Sequence, residues 1–364
     1  MKYRWSAIIA LLAFTSSALA STATFPSYLV KNTKELASLK KEIDRPGKSS
    51  AEKAWLRWQY ALNAPQLNYV TAALKILKQL QSSKQSVIGQ DQISLTRGRI
   101  LFQQGKFDDA VEAYQEVPKT SEYWFEAIEE EAWSYIRLNE PERATAKLTT
   151  LFSPVFSTWV GPESYFAANY NALKTCDYNA IFKNGKTFKK RHGDRIAQLE
   201  QLVKTGTNSQ IGTVIPRLES GEMNFLAYAK EATALPRFFW RDEFLRRHVT
   251  SIQNLKKNKS PEVRLKKVRD EIVTRLQALA KAELSEYSAV IQKMHIIEAE
   301  VIQRMYLDES LKGERPEVQT TSSDPNILTF PYNDESQKGE LWLDEIDSYQ
   351  ASVKSCPQMK EAKL

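Results

Sequence analysis

The chain has 364 residues, 42% of them hydrophobic, with eight Trp, only 12 Gly and a formal net charge of +7. That supplies a sizeable core and excludes disorder as the default; scarce Gly argues against folds built on tight turns and phosphate-cradling loops, while abundant Ala, Leu, Lys, Glu and Gln favour helices. The charge surplus, +7 less the two charges of Lys2 and Arg4 or +5, is mild and reads as solubility, not nucleic-acid recognition.

Lys2 and Arg4 precede an apolar run from Ala7 to Phe14, and Ala18-Leu19-Ala20 ends the segment with small residues. By charge, length and exit, residues 1–20 read as a signal peptide cut after Ala20, which predicts a periplasmic or secreted protein. The run falls short of the ~20 residues a bilayer span needs. No later stretch is apolar enough to cross, and no cysteine follows the cleavage site for lipid attachment. The mature chain is expected to be soluble, with residues 21–50 as a lead-in.

Between residues 51 and 192 the chain repeats. Gly98, Leu101, Gly105, Phe107, Ala110 and Tyr114 recur 34 positions later as Ala132, Tyr135, Asn139, Pro141, Ala144 and Leu148. Both sets read small, large, turn, helix start, small, large, as helical hairpins with closely approaching axes require. A third hairpin uses Asn169, Ala172, Cys176, Tyr178, Ile181 and Phe188 after Gly161-Pro162, and a degenerate fourth lies upstream with Trp58, Ala61, Pro65, Leu67, Val70, Leu74 and Leu77. The pattern resembles the tetratricopeptide repeat, whose period is 34 residues. The resemblance implies stacked hairpins, an α-solenoid with a concave face that receives a peptide or protein segment. In the family the first helix opens on Trp and Leu; the repeat at 98 has Ser94 and Arg97 there, so the resemblance rests on the second half of each motif.

Turn signals Thr205-Gly206-Thr207-Asn208 and Ile211-Gly212 between Gly193 and Gly221 place a boundary after residue 192. In the second unit, 193–311, a helix is expected from Pro236 to Asn258 and a longer one from Pro261 to about Leu311. Leu265, Val268, Ile272, Leu276, Leu279, Leu284, Tyr287, Ile291, Met294, Val301 and Met305 recur there mostly every three or four positions. Such a helix would reach roughly 75 Å and needs a partner along its stripe; the preceding helix, folded back across Lys259-Ser260-Pro261, is the expected one. Residues 312–364 read as a Pro-rich connector followed by a capping helix over 339–349 with Trp342, Ile346 and Tyr349 on one side. The fold class is all-α: stacked hairpins, a long antiparallel helical hairpin and a C-terminal cap.

The two cysteines, Cys176 and Cys356, form an even count that in an oxidising compartment invites a bridge, with two unpaired thiols as the alternative. A bridge would close a loop of about 180 residues, stabilising by on the order of 4 to 5 kcal/mol in the chain-entropy account. Phe330-Pro331-Tyr332, Glu340-Leu341-Trp342-Leu343-Asp344-Glu345, Tyr349 and Cys356, together with Ala172 to Tyr178, resemble exported repeat proteins of predatory and gliding deltaproteobacteria. That group carries a Glu-Tyr-Trp-x-Asp-Glu-Leu element near a terminal cysteine; here Leu341 replaces the Tyr and Ile346 the Leu. The resemblance implies an envelope-associated protein, favours pairing of the two cysteines and supplies no catalytic residue.

Little points to chemistry. His192, His248 and His295 form no ligand pattern; His295 and Glu298 share a helix side, but a site needs a third ligand. Hydrolase elbow, Walker loop and dinucleotide fingerprint are missing, and nothing near Cys176 would activate it. No catalytic, cofactor-binding or metal residue is assigned, and no cofactor is expected. The acidic run Glu126, Glu129, Glu130 and Glu131 could pair carboxylates for glycoside cleavage, but reads better as a solvated helix face.

The segment most suggestive of binding is basic: Arg237, Arg241, Arg246, Arg247, Lys256, Lys257, Lys259, Arg264, Lys266, Lys267 and Arg269, with Asp242, Glu243 and Glu262 opposing, and interleaved at its start by Phe238, Phe239, Trp240 and Phe244. The bland reading has the aromatics facing the core and the cations solvated. The functional reading is a docking patch for an acidic partner, lipid head groups or an anionic wall polymer; export disfavours nucleic acid. The expectation is an envelope scaffold that binds a protein or peptide. An envelope polysaccharide- or peptide-acting enzyme with an unrecognised site, and a structural part of a motility or envelope assembly, are the alternatives.

Overall fold

The computed structural model describes residues 30–83, 87–153, 156, 159–223, 228, 230–307, 347, 349 and 351–353. The fold is all-α, with no strand among the described residues. In chain order the helices are α1 (Thr33–Asp44), α2 (Ser50–Asn63), α3 (Val70–Ser82), α4 (Gln90–Gln103), α5 (Phe107–Gln115), α6 (Trp124–Leu138), α7 (Pro141–Leu151), α8 (Glu163–Lys174), α9 (Tyr178–Thr205), α10 (Ile211–Glu219), α11 (Glu243–Lys257) and α12 (Glu262–Leu307). The expected signal peptide, the connector and most of the capping helix lie outside the described residues, as does Cys356.

Local chemistry sets the ends of these helices. Ser49 and Glu52 form a reciprocal capping box at α2, Asp177 caps α9 by accepting from the Ala180 amide, and Asp242 does the same for α11 through Leu245. The expected hairpins are α2/α3, α4/α5, α6/α7 and α8/α9, each packed on the next. Three of them turn identically. Gly105, Asn139 and Cys176 all adopt positive φ, +73°, 63° and 59°. Just beyond each, an amide reaches back five residues: Lys106 to the Leu101 carbonyl (3.0 Å), Glu140 to Tyr135 (2.9 Å) and Asp177 to Ala172 (2.9 Å). This is the Schellman closure, which needs a left-handed residue where the first helix ends. The small residues then do what their spacing implies. A side chain added at Gly98 would lie 2.5 Å from the Tyr114 ring, and Ala110, Ala132 and Ala144 are fully buried.

Two differences from expectation stand out. No break occurs at residue 193: α9 runs 28 residues through Gly193 and ends only at Gly206, left-handed at φ +74°. An exposed helical Gly costs only about 1 kcal/mol, too little to end a helix packed along its length. The second difference concerns 236–242, which is not helical throughout. Phe238 sits at φ 62°, Phe239–Arg241 form a single 3-10 turn, and only from Glu243 does α11 begin.

The 46 residues of α12 span about 69 Å. It pairs with α11 as expected, but its most extensive contact is with α9, and it also crosses α8. Close approach to α9 occurs at Gly185, where a Cβ would meet the Glu298 carboxylate at 2.7 Å. The second unit is thus laid along the hairpin stack. One apolar cluster runs from Leu95 to Val301 through both, while a smaller one, Val30 to Ile100, serves the first helices.

Candidate functional site

The acidic run of α6 is not a solvated face. Glu131 is buried at 2% exposure, Glu126 and Glu130 hold Arg99 of α4 at 3.1 and 2.5 Å, and Glu129 accepts from the Ser164 hydroxyl of α8. Its partners come from elsewhere in the sequence, which is why helical spacing alone misreads it. The segment 236–242, here called the strap, completes the seam. Arg241 reaches Glu126 at 2.5 Å and the Glu122 carbonyl, with its guanidinium 4.1 Å from the Tyr123 ring centre, and the Trp240 indole donates to Glu122 at 2.8 Å.

Behind the strap, Arg195 of α9 and Glu283 of α12 form a buried pair at 2.7 Å; Arg195 also donates to the Ala232 and Leu235 carbonyls. Arg237 donates its amide to Glu283 at 2.6 Å and its guanidinium to Glu286 at 2.8 Å. Burial works against the Glu283 charge, yet Arg195 and Arg237 hold its carboxyl below the usual range. Glu129 goes the other way: burial, with Glu163 and Glu286 adding repulsion, pushes its carboxyl up to about 8. His192, within 2.9 Å of the Tyr287 hydroxyl, is pushed down to about 3 by burial and by the nearby Arg237, Arg195 and Arg191. Shifted groups of this kind mark functional sites and structural ion networks alike. Here they are packed: the cavity lined by Arg195, Tyr228 and Arg237 measures about 10 Å³, room for one water. The arrangement clamps two parts of the chain together.

The predicted basic patch therefore divides. Arg241 is buried and Arg237 nearly so, both engaged inward. Arg246 bonds the Trp240 carbonyl at 2.9 Å, and Arg247 pairs with Glu243 one helical turn away. Lys256 reaches Glu219 at 2.6 Å while staying half-exposed. Lys257, Lys266 and Lys267 are exposed, and with Lys259 and Arg264 of the same basic segment they surround the turn between α11 and α12.

A site not foreseen lies over α5, α6 and α7. A cleft of about 290 Å³ is lined by Tyr114, Gln115, Trp124, Ile128, Glu131 and Lys147, and the chain's own Asp347 enters it. Lys147 stands between two carboxylates, Asp347 at 2.7 Å and Glu131 at 3.2 Å. Glu131 is raised by burial, against which Lys147 and Gln115 act, while Asp347 raises it further. Nothing in the sequence announces a lysine on α7 as the partner of an aspartate 200 positions on. Among the described residues no three His, Cys, Asp or Glu gather as a metal site, and no helix is long and apolar enough to cross a membrane.

No protein-family profile, curated protein or solved structure matches the chain.

Proposed function

We propose that this chain is an exported, non-catalytic scaffold of the cell envelope, a tetratricopeptide-like stack that holds a protein or peptide segment in the cleft over α5, α6 and α7. The observation that carries this reading is the Lys147–Asp347 pair: a residue remote in sequence already rests there by its carboxylate. A partner presenting an acidic side chain would be held by the same cation, with Tyr114, Trp124 and Ile128 offering apolar contact. Mobile partners of this kind are gripped by a few anchors in a desolvated pocket.

Export after Ala20 and a Cys176–Cys356 bridge belong to the same proposal. In its support, Asn171, five residues before Cys176, bonds the Thr145 hydroxyl at 2.9 Å, so the α8–α9 turn lies beside the helix that carries Lys147. Cys356 follows Asp347 by nine residues, a stretch that reaches up to about 30 Å. The bridge would keep the tail at the mouth of the cleft.

The test is crosslinked capture from envelope extracts with the wild-type chain and with Lys147→Glu. A partner peptide mapped to the cleft and lost in the variant is expected. The same partners on both baits, or none on either, would overturn the reading.

A further inference from the structure

The turn between α11 and α12 concentrates positive charge. Residues 256–270 hold Lys256, Lys257, Lys259, Arg264, Lys266, Lys267 and Arg269 against only Glu262 and Asp270. Arg269 is taken up by Glu219 and Glu262, and Lys256 by Glu219. The other five cations are exposed. In their midst Val263, in the first turn of α12, is 80% exposed.

Helix geometry fixes how these side chains stand. Positions three and four apart share a face, so Lys266 and Lys267 lie one turn from Val263 on the same side. The core-facing stripe runs elsewhere, through buried Leu265, Ile272 and Leu276. Lys259 is held in the turn at φ 51°, closed by the Ser260 amide on the Leu255 carbonyl at 2.9 Å. The result is an apolar side chain ringed by cations on an ordered turn.

We infer that this turn docks on an anionic phospholipid surface, Val263 entering the interface while Lys257, Lys259, Arg264, Lys266 and Lys267 meet the head-group phosphates. Charge alone would suit any polyanion. The apolar residue decides for a bilayer, because a hydrated polymer gives Val263 nothing to enter, whereas an interface takes up apolar groups beneath a basic rim. The docking is peripheral and shares no element with the cleft over α5–α7, so either reading can fail without the other.

Flotation of the purified full chain with vesicles of phosphatidylglycerol in phosphatidylcholine, and of phosphatidylcholine alone, tests it. Binding to the first in clear excess over the second, weakening as salt rises, is expected. Lys266→Glu with Lys267→Glu should weaken that binding on the order of 600-fold, since each reversal removes a cation and adds an anion and each unit of charge near such a leaflet counts roughly fivefold. Val263→Ser should weaken it severalfold without changing its salt dependence. Lys40→Glu with Lys41→Glu, on exposed positions of α1, should leave it intact. Equal binding to both vesicles, or wild-type binding by the Lys266/Lys267 variant, overturns the proposal. Binding to soluble polyphosphate that matches the vesicles and ignores Val263→Ser would assign the turn to a polymer instead and overturn it too.

Discussion

Arg241 in the strap and Glu126 on α6 lie 115 positions apart in sequence and 2.5 Å apart in space, with side chains only 9% and 15% exposed. This contact closes the second unit onto the hairpin stack. Removing one member of a buried pair strands the other, at a cost of about 3 to 5 kcal/mol. Arg99 stays beside Glu126, which sets Arg241→Ala at the lower end, about 3 kcal/mol by urea denaturation. Arg247→Ala, which removes a surface pair with Glu243, should change stability by less than about 0.5 kcal/mol. Equal effects at the two arginines would show that the strap does not hold the units together.

Two buried groups give stability opposite slopes with pH. His192 has a folded value of about 3, below its ordinary 6.5, so its contribution is complete above pH 6.5 and drains away as pH falls toward 3. Glu129, at about 8 against 4.5, contributes fully below pH 4.5 and loses that contribution as pH rises toward 8. Each slope amounts to about 1.4 kcal/mol per pH unit. The two oppose one another between pH 4.5 and 6.5. Glu129→Gln should therefore gain stability over wild type as pH rises through 6.5 to 8. Melting curves for both chains across that range check it, and parallel curves would remove Glu129 from the account.

Gly98→Ala puts a methyl group against the Tyr114 ring, with three ring atoms inside 3.0 Å. Tyr114 is itself buried at 2% and cannot step aside cheaply. Overpacking of this kind costs about 1 to 3 kcal/mol. Gly105→Ala has open space but a left-handed backbone, φ +73°, and should cost about 1 kcal/mol for conformational reasons. Thermal melts of the two variants would separate a packing penalty from a backbone one; a neutral Gly98→Ala would mean the α4 and α5 axes are not in close contact.

Peptide mapping without reductant is expected to recover the segments around Cys176 and Cys356 as one linked species. Free thiols at both positions would end the bridge proposal. With the bridge formed, reduction should make the segment around Asp347 more sensitive to protease while leaving the hairpins as they were.

How far the sequence could be read depended on the range of the forces involved. The hairpins show at a spacing of 34 because Gly98 against Tyr114, and the left-handed turns at Gly105 and Asn139, are local requirements that only a few residue types meet. The long helix shows because its apolar stripe must be continuous to pack. The strap did not show: Arg237, Phe238, Trp240 and Arg241 have spacings compatible with a helix, and only partners remote in sequence, on and beside α6 and on α12, pull them into an irregular path. For the same reason Glu126 and Glu129 looked like solvent-facing residues. The cations that hold Glu126 sit 27 and 115 positions away and the hydroxyl that Glu129 accepts from 35 away, beyond any local pattern. The cleft was illegible because it needs Asp347 brought back across the whole chain.

The uninterrupted course of α12 across α8, α9 and α11 gives the molecule a mechanical character. Open arrays of hairpins act as springs, each unit touching only its neighbours and able to peel off singly. A beam fastened along several units takes that elasticity away, and compliance retreats to α1–α3, which cohere through their own smaller cluster. Tension across the protein would stretch that end first and leave the braced helices, with the basic turn they carry, in place.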